Sequence, residues 1–514
     1  MAKPWATFGV DLHLEPTGPG IRRGLTDALR EAVRTGRLAP GTRLPSSRTL
    51  AADQGVARNT VADAYADLVA EGWLTARQGS GTRVAMGIAP ARVSPTGVSP
   101  ARATPTGAGA ARAAPTGAGP ARVSPAPAGR RAGTGAPPTG TSPAPPPPPR
   151  PREPAHPTHN LIPGTPDLGS FPRTEWLKAA RRALATAPYQ ALDYGDPRGR
   201  IELRTALAGY LSRARGVRAD PDRILVCAGF SHGLRLLGAV LRARGARTVA
   251  VESYGLDVHW NLLAAAGLRT APLPFDDRGT DPGELTGQGA VLLTPGHQFP
   301  MGGTLHRDRR AAVVDWARRT GGLVVEDDYD GEFRYDRQPV GALQGLDPDH
   351  VVYAGTASKS LAPGLRLGWL VLPPDLMEPV LAAKGHADTC GSLDQLTLAE
   401  FLTSGAYDRH VRAARLRYRR RRDALVAELA RRAPRVHATG IAAGLHVVLR
   451  LPAGTEPAVL RAAAWQRLAV HALDRYQHPQ AAVERRDALV VGYGTPPDHA
   501  WSGALEALCA VLPE

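Results

Sequence analysis

The run GTASKSLAPGLRLGW, residues 355–369, sets Lys359 between two serines and places Arg366 seven positions further on. A lysine amine can hold an aldehyde covalently as a Schiff base, and a nearby guanidinium can clamp a phosphate carried by the same ligand. About thirty residues earlier stands GGLVVEDDYDGEFRY, residues 321–335. Leu323, Val324 and Val325 form a buried-strand run that delivers Asp327 and Tyr329 at its carboxyl end, where open α/β sheets bind ligands. A carboxylate there can keep a pyridinium nitrogen protonated and so make an aromatic ring an electron sink. A phenol two residues on shares its face and can reach the ring's phenolate oxygen.

These side chains need a sheet beneath them, and the segment after about residue 159 supplies the pattern for one. Helical and strand-like periods alternate through it, as in an α/β domain. The strand-like run Arg223–Gly229 leads into a helix, and helix amino ends with their free N–H groups accept phosphate. The segments LDYGDPRGRIELRTALAGYLSRARGV (192–217) and LLTPGHQFPMGG (292–303) flank it in the chain.

A second block precedes this one. Ile21, Leu25, Ala28, Leu29, Ala32 and Val33 follow helical spacing, with Gly36 closing the helix. Ser46 or Ser47 caps a short helix carrying Leu50 and Ala51, Gly55 makes the turn, and a second helix from about Ala57 buries Val61, Ala64, Tyr65, Leu68 and Val69. Gly72 ends that helix, and residues 73–84 read as a two-stranded wing around Gly79, Ser80 and Gly81. Helix, turn, helix and hairpin make a DNA-reading module in which Arg58, Asn59 and Thr60, at the start of the second helix, reach base edges and phosphates.

Between the blocks, residues 87–158 carry an imperfect ten-residue repeat (ARVSPTGVSP, ARATPTGAGA, ARAAPTGAGP) and end in SPAPPPPPRPREP. Almost nothing there offsets the entropy of ordering a backbone, so the segment reads as a disordered tether. Some 72 flexible residues span roughly 50 Å on average.

The chain has 514 residues, 43% of them hydrophobic, and a formal charge of +16, so it can bury more than one core and favours phosphate-rich partners. Cys227, Cys390 and Cys509 form no paired spacing, which argues against a disulfide framework or a zinc site, and no metal is expected. The amino terminus lacks an apolar signal-peptide core and no run approaches a membrane span; a cytoplasmic protein is expected.

The segment from Gly36 to Gly72, with its LPSSR, RNTV and EG motifs, resembles the GntR superfamily of winged-helix regulators. Residues from about 160 to 495 resemble the aminotransferase-like domain of MocR-type regulators, with HQFP and EDDYDGEFRY the telling runs. The expected architecture is therefore multidomain: a winged helix-turn-helix over 1–86, a linker over 87–158, and a fold-type I α/β aminotransferase-like domain over 159–514. The resemblance implies pyridoxal 5'-phosphate held by Lys359, Asp327 at the pyridine nitrogen and Tyr329 at the phenolate oxygen. It also implies Ser358, Arg366 and the backbone near Gly229 at the phosphate, and Tyr194 reaching the site of the other subunit of a homodimer. His297 or Gln298 would touch the ring. By the same resemblance Arg43, Arg48, Arg58 and Thr60 contact operator DNA, with Gly79 to Gly81 in the minor groove or on the backbone.

Two departures stand out. The family's E-x-P-x-Y, whose tyrosine stacks on the ring, is here Glu252-Ser253-Tyr254-Gly255-Leu256, so either Tyr254 stacks from a shifted turn or the ring meets an aliphatic face. In place of an arginine for a substrate carboxylate stand Val490 and Val491, with Arg485 and Arg486 nearby as surface charges. The expected function is transcription regulation by an aminotransferase-like domain that senses pyridoxal phosphate or a small amine. A catalytically active aminotransferase with an accessory DNA-binding domain is the alternative.

Overall fold

The computed structural model describes residues 21–34, 38, 40–54, 56–77, 81–85, 157–335 and 341–514. The expected linker, the helix-closing Gly36, the turn at Gly55, and Gly79 and Ser80 of the wing lie outside the described residues.

Helices α1 (Ile21–Arg34), α2 (Ser47–Gln54) and α3 (Arg58–Ala70) are followed by the antiparallel strands β1 (Leu74–Arg77) and β2 (Gly81–Val84). Leu25, Leu29, Val33, Leu44, Leu50, Val61, Ala64, Leu68, Leu74 and Val84 close one small core. Ile21, grouped with that face by spacing, is instead 60% exposed at the first position of α1 among the described residues. Ser46 rather than Ser47 caps α2, its Oγ accepting from the Thr49 amide at 3.1 Å. Gly72 ends the α3 segment with φ +79, and the Cβ of any other residue there would lie 2.6 Å from the Arg213 carbonyl oxygen.

The large domain is built on a seven-stranded sheet. In chain order its strands are β3 (Ile224–Cys227), β4 (Thr248–Glu252), β5 (Arg269–Leu273), β6 (Ala290–Leu293), β7 (Leu323–Asp327), β8 (Val351–Thr356) and β9 (Gly368–Val371). Their spatial order is β3-β9-β8-β7-β6-β4-β5. Only β9 runs against its neighbours, so the other six point their carboxyl ends to one edge. Helices cover both faces, which is why runs such as ILVC, AVLL and VVYAGT are apolar throughout instead of alternating. A second, four-stranded sheet near the carboxyl end joins β10 (His437–Thr439), β11 (Val447–Arg450), β12 (His471–Ala472) and β13 (Ala488–Val491), in the order β10-β11-β13-β12.

Two helices carry contacts in both directions: α4 (Ile201–Arg215) and the 27-residue α6 (Ala406–Arg432). A third, α5 (Phe230–Ala243), follows β3. Against α4 and α6 the winged helix sets an acidic face. Glu71, its side chain 3% exposed, pairs with Arg30 at 2.7 Å and with Arg412 of α6. Asp67 takes Arg22 at 2.8 Å and Arg412 at 3.3 Å, while Asp27 meets Arg409 at 3.5 Å. Arg213 of α4 lies over the Trp73 ring at 4.1 Å and pairs with Asp408 at 2.9 Å.

Candidate cofactor site and nucleic-acid interface

Three sheet strands converge on one corner. β7 ends at Asp327, the turn after β8 carries Ser358 and Lys359, and the turn after β3 carries Gly229. Burial raises the pKa of Asp327 well above the carboxylate range, while the charge of Lys359 acts to lower it. Its Oδ1 is buried with no hydrogen-bond partner. A buried carboxylate oxygen left unpaired costs free energy unless a donor arrives. Lys359 Nζ donates to the Gly164 carbonyl at 2.5 Å, and burial lowers its pKa, with Asp327 and Asp330 pulling it up. Lower basicity gives an amine that attacks an aldehyde more readily.

Arg366 takes a positive φ of 53 and donates from Nη2 to the Ala228 carbonyl at 2.7 Å. Gly229 has φ +80, and a Cβ there would lie 3.4 Å from the Arg366 guanidinium, so the glycine keeps open the mouth of α5. Exposed guanidinium, bare backbone and the amino end of a 14-residue helix make one anion cradle. The residues present therefore fit a phosphorylated pyridine aldehyde: an amine for the aldehyde, an unpaired buried acid for the ring nitrogen and a cationic corner for the phosphate. Ser358 stands half-buried at that corner, its amide bonded to Thr356 Oγ1 at 3.2 Å. Tyr329 is half-buried, its phenol kept protonated chiefly by burial and then by the charges of Asp330 and Asp327.

Two expectations change. Tyr254 is 3% exposed, its ring packed with Phe299, Leu473, Tyr476 and Val490 and edge-on to Phe275, so no face is left to stack on a ligand. Leu256 packs partly buried against the same cluster. His297 and Gln298 are 4% and 2% exposed, and each is engaged by protein: His297 with Asp330 and Tyr329, Gln298 with Thr280. Neither offers an edge to the ring. Tyr194 is the reverse case, 103% exposed on a loop, beside exposed Tyr189 and Leu192.

Sequence reasoning missed His259. It stands 4.8 Å from the Phe230 ring, and burial, followed by the charge of Lys359, pushes its pKa down to about 4. It lies seven residues after Glu252, so a search for an aromatic beyond the missing tyrosine would have met it. Glu252 was also missed as a chemical group: burial pushes it up to about 7 against hydrogen bonds from Thr294 and Thr280.

On the winged helix, Arg58 and Asn59 are exposed and Thr60 half-buried at the first turn of α3. Arg48 is exposed on α2, and Arg43 lies against Gly81, where a Cβ would sit 3.2 Å from its Nε. Arg43 and Arg83 are bridged through their backbones, which ties the wing to the loop before α2. Arg48 of α2, Arg58 of α3 and Arg83 of the wing are thus all exposed basic side chains. His297, Asp330 and His446 make a cluster of metal-capable side chains among the described residues. No helix among the described residues is long and apolar enough to cross a membrane.

The comparisons with known proteins divide the chain the same way. Residues 22–84 match the family model "Bacterial regulatory proteins, gntR family", and residues 160–479 match "Aminotransferase class I and II". The HTH-type pyridoxine biosynthesis transcriptional regulator PdxR of Corynebacterium glutamicum is 31% identical over 486 residues, 94% of this chain and 93% of that protein. The probable rhizopine catabolism regulatory protein MocR of Rhizobium meliloti is 32% identical over 79% of this chain and 76% of its own length. Among solved structures, an archaeal alanine:glyoxylate aminotransferase superposes with a TM-score of 0.61 at 24% identity, covering 69% of this chain and 90% of its own, which shows a shared fold.

Proposed function

Because this chain belongs to the family of MocR-type transcription regulators, in which a gntR-family winged helix precedes an aminotransferase class I and II domain, we propose that it grips operator DNA according to whether pyridoxal 5'-phosphate occupies Lys359. Residues 1–86 read the DNA, 87–158 tether, and 159–514 sense. The buried, unpartnered Asp327 Oδ1 carries the cofactor assignment, because it is a donor-seeking oxygen near the one amine suited to the aldehyde. When bound, the cofactor supplies an electron-withdrawing ring. Asp327 holds a proton at the ring nitrogen, Tyr329 donates to the phenolate oxygen, and Arg366, Ser358 and the amides after Gly229 hold the phosphate. His259, between Phe230 and the charge of Lys359, would be a neutral aromatic neighbour of the bound ring.

Two helices give this site a mechanical link to the DNA reader. Arg215 of α4 forms a bidentate pair with Asp328, next to Asp327, at 2.6 and 2.7 Å. His410 of α6 bonds the carbonyl of Ser360, next to Lys359, at 2.7 Å. Two residues along each helix, Arg213 and Arg412 hold the winged helix. A ligand that shifts either end has a route to the other, provided its affinity differs between the two arrangements. Tyr194, wholly exposed here, reaches the other site of a homodimer and is covered when that dimer forms.

The rival reading, a working aminotransferase, is less well supported: Val490 and Val491 are 0% exposed in β13 and offer nothing to a substrate carboxylate. Arg485 is 70% exposed and lies 3.7 Å from Glu456. The test is spectroscopic. Purified protein with pyridoxal phosphate should show a visible band that Lys359→Ala abolishes; a colourless wild type that ignores the added cofactor contradicts the assignment.

A further inference from the structure

Behind Tyr329 lies a buried pair for which the proposed function gives no role. His297, after β6, has Nδ1 2.8 Å from Asp330 Oδ2 and 3.0 Å from the Tyr329 hydroxyl. Asp330 is 2% exposed and His297 4%. The Tyr329 and His297 rings lie 27° from parallel, 6.1 Å apart. Gly444, with φ +71, packs the pair from behind: a Cβ there would lie 2.2 Å from His297 Cε1 and 2.6 Å from Asp330 Oδ2. Any side chain at 444 would force the pair apart.

One proton decides what this arrangement does. A protonated imidazole carries a hydrogen on Nδ1 in any case, and a neutral one carries a single N–H. With the hydrogen on Nδ1 it donates to the Asp330 carboxylate; with the hydrogen on Nε2, a lone pair would face that carboxylate at 2.8 Å, which is repulsive. The charge of Asp330 therefore selects the Nδ1–H tautomer. Nδ1 then has no lone pair left to accept the phenol hydrogen, and Tyr329 meets it through its oxygen. With Asp330 Oδ2 engaged by His297, the Tyr329 hydrogen is divided between that carboxylate, which also reaches the phenol, and an acceptor on the open side. His446 completes the enclosure: its Nε2 donates to the Pro300 carbonyl at 3.1 Å, and burial, then His297, pushes its pKa down to about 3, so it adds no charge. Every member thus has a hydrogen-bond partner, and the cluster is complete without a cation.

We propose that His297 and Asp330 are positioning residues that fix the Tyr329 hydroxyl with its hydrogen aimed at the phenolate oxygen of bound pyridoxal phosphate. The relay rests on the cofactor reading above. Tyr329 is faced by Asp327 and Asp330 from its own strand end, Glu252 from β4, His297 from the loop after β6, His446 before β11, and Lys359. If His297 is removed, Asp330 loses the donor that occupies its Oδ2 and draws the phenol hydrogen more strongly, away from the ring.

The test is a pH titration of the visible absorption of the full-length protein loaded with pyridoxal phosphate. A donor to the phenolate oxygen stabilises its ionised form, so losing the donor moves the midpoint upward. His297→Leu should raise the midpoint by about one unit, the size expected for one charge-assisted hydrogen bond. Asp330→Asn, which no longer selects the tautomer, should move it the same way, and serves alone if the leucine variant does not fold. Tyr329→Phe should raise it as well, and in that background His297→Leu should add nothing. A purely structural role would move thermal stability but not produce this non-additivity. Unchanged midpoints in both His297→Leu and Asp330→Asn, or a shift that persists in the Tyr329→Phe background, overturn the relay alone. A wild type with no visible band overturns the cofactor reading and the relay with it.

Discussion

The winged helix has two charged faces that use arginine in opposite ways. On the face turned to α4 and α6, arginines and acids neutralise one another around two carboxylates of low exposure, Glu71 with Arg30 and Arg412 and Asp67 with Arg22 and Arg412, while the more exposed Asp27 meets Arg409 at the edge. On the face carrying the start of α3, Arg48 and Arg58 stand in solvent, with no acidic partner among the described residues. Buried, matched charges fix geometry and resist screening. Exposed, unmatched ones attract phosphate and are sensitive to salt. One small domain can therefore be held firmly behind while its front remains free to exchange counterions for DNA.

The sharpest way to break this contrast is at Glu71. Glu71→Ala leaves Arg30 and Arg412 facing each other without their shared carboxylate, and removing one partner of a buried pair costs about 3–5 kcal/mol. Denaturant unfolding should show a loss of that order. A loss below about 1 kcal/mol would mean that the pairs behave as exposed ones.

Arg58→Ala should leave unfolding unchanged and weaken specific operator binding by about 1–3 kcal/mol. If only the salt slope and non-specific binding change, Arg58 is a phosphate anchor and not a base reader.

A smaller effect comes from the large domain. Burial raises Glu252 to about 7 in the fold, above its unfolded value, so the folded state holds its proton more tightly. For this group stability is highest below the unfolded pKa and declines as pH rises toward about 7. Glu252→Gln should flatten the stability curve between about pH 5 and 7, measured by thermal melts across buffers. An unchanged curve would place the titration elsewhere.

These contrasts were unequally legible in the sequence. The strands leading to Asp327 and Gly229 were readable because doubly covered strands are apolar throughout, and Asp327, Tyr329, Lys359 and Arg366 could be singled out as candidates because their motifs are local. The recognition helix was readable for the same reason. The docking face was not: Asp67 and Glu71 look like the solvated side of a helix until α6, more than 300 residues later, brings Arg412 to them. Tyr254 was misjudged because the only signal was its type, while the cluster that buries it includes Phe299, Leu473, Tyr476 and Val490. His297 was noticed, but its partners Asp330 and Gly444 come from separate segments, and only the fold brings it against Asp330 and Tyr329.

On the proposed reading, with no arginine at Val490 and Val491, ordinary α-amino acids should be poor effectors. Burying a carboxylate without a partner costs several kcal/mol. Common amino acids titrated into the protein–operator complex should leave it unchanged at concentrations where pyridoxal phosphate acts. A micromolar response to an α-amino acid alone would mean that another arginine does the gripping.

The central claim is that occupancy at Lys359 is felt at Arg58. It is tested most directly by measuring the affinity for operator DNA, at one fixed salt concentration, with and without pyridoxal phosphate, for the wild type and Lys359→Ala. The account predicts that the cofactor changes wild-type affinity by about 5- to 150-fold, the usual range of coupling between sites, and leaves Lys359→Ala unmoved. Equal wild-type affinities under both conditions, with the cofactor bound, would contradict it.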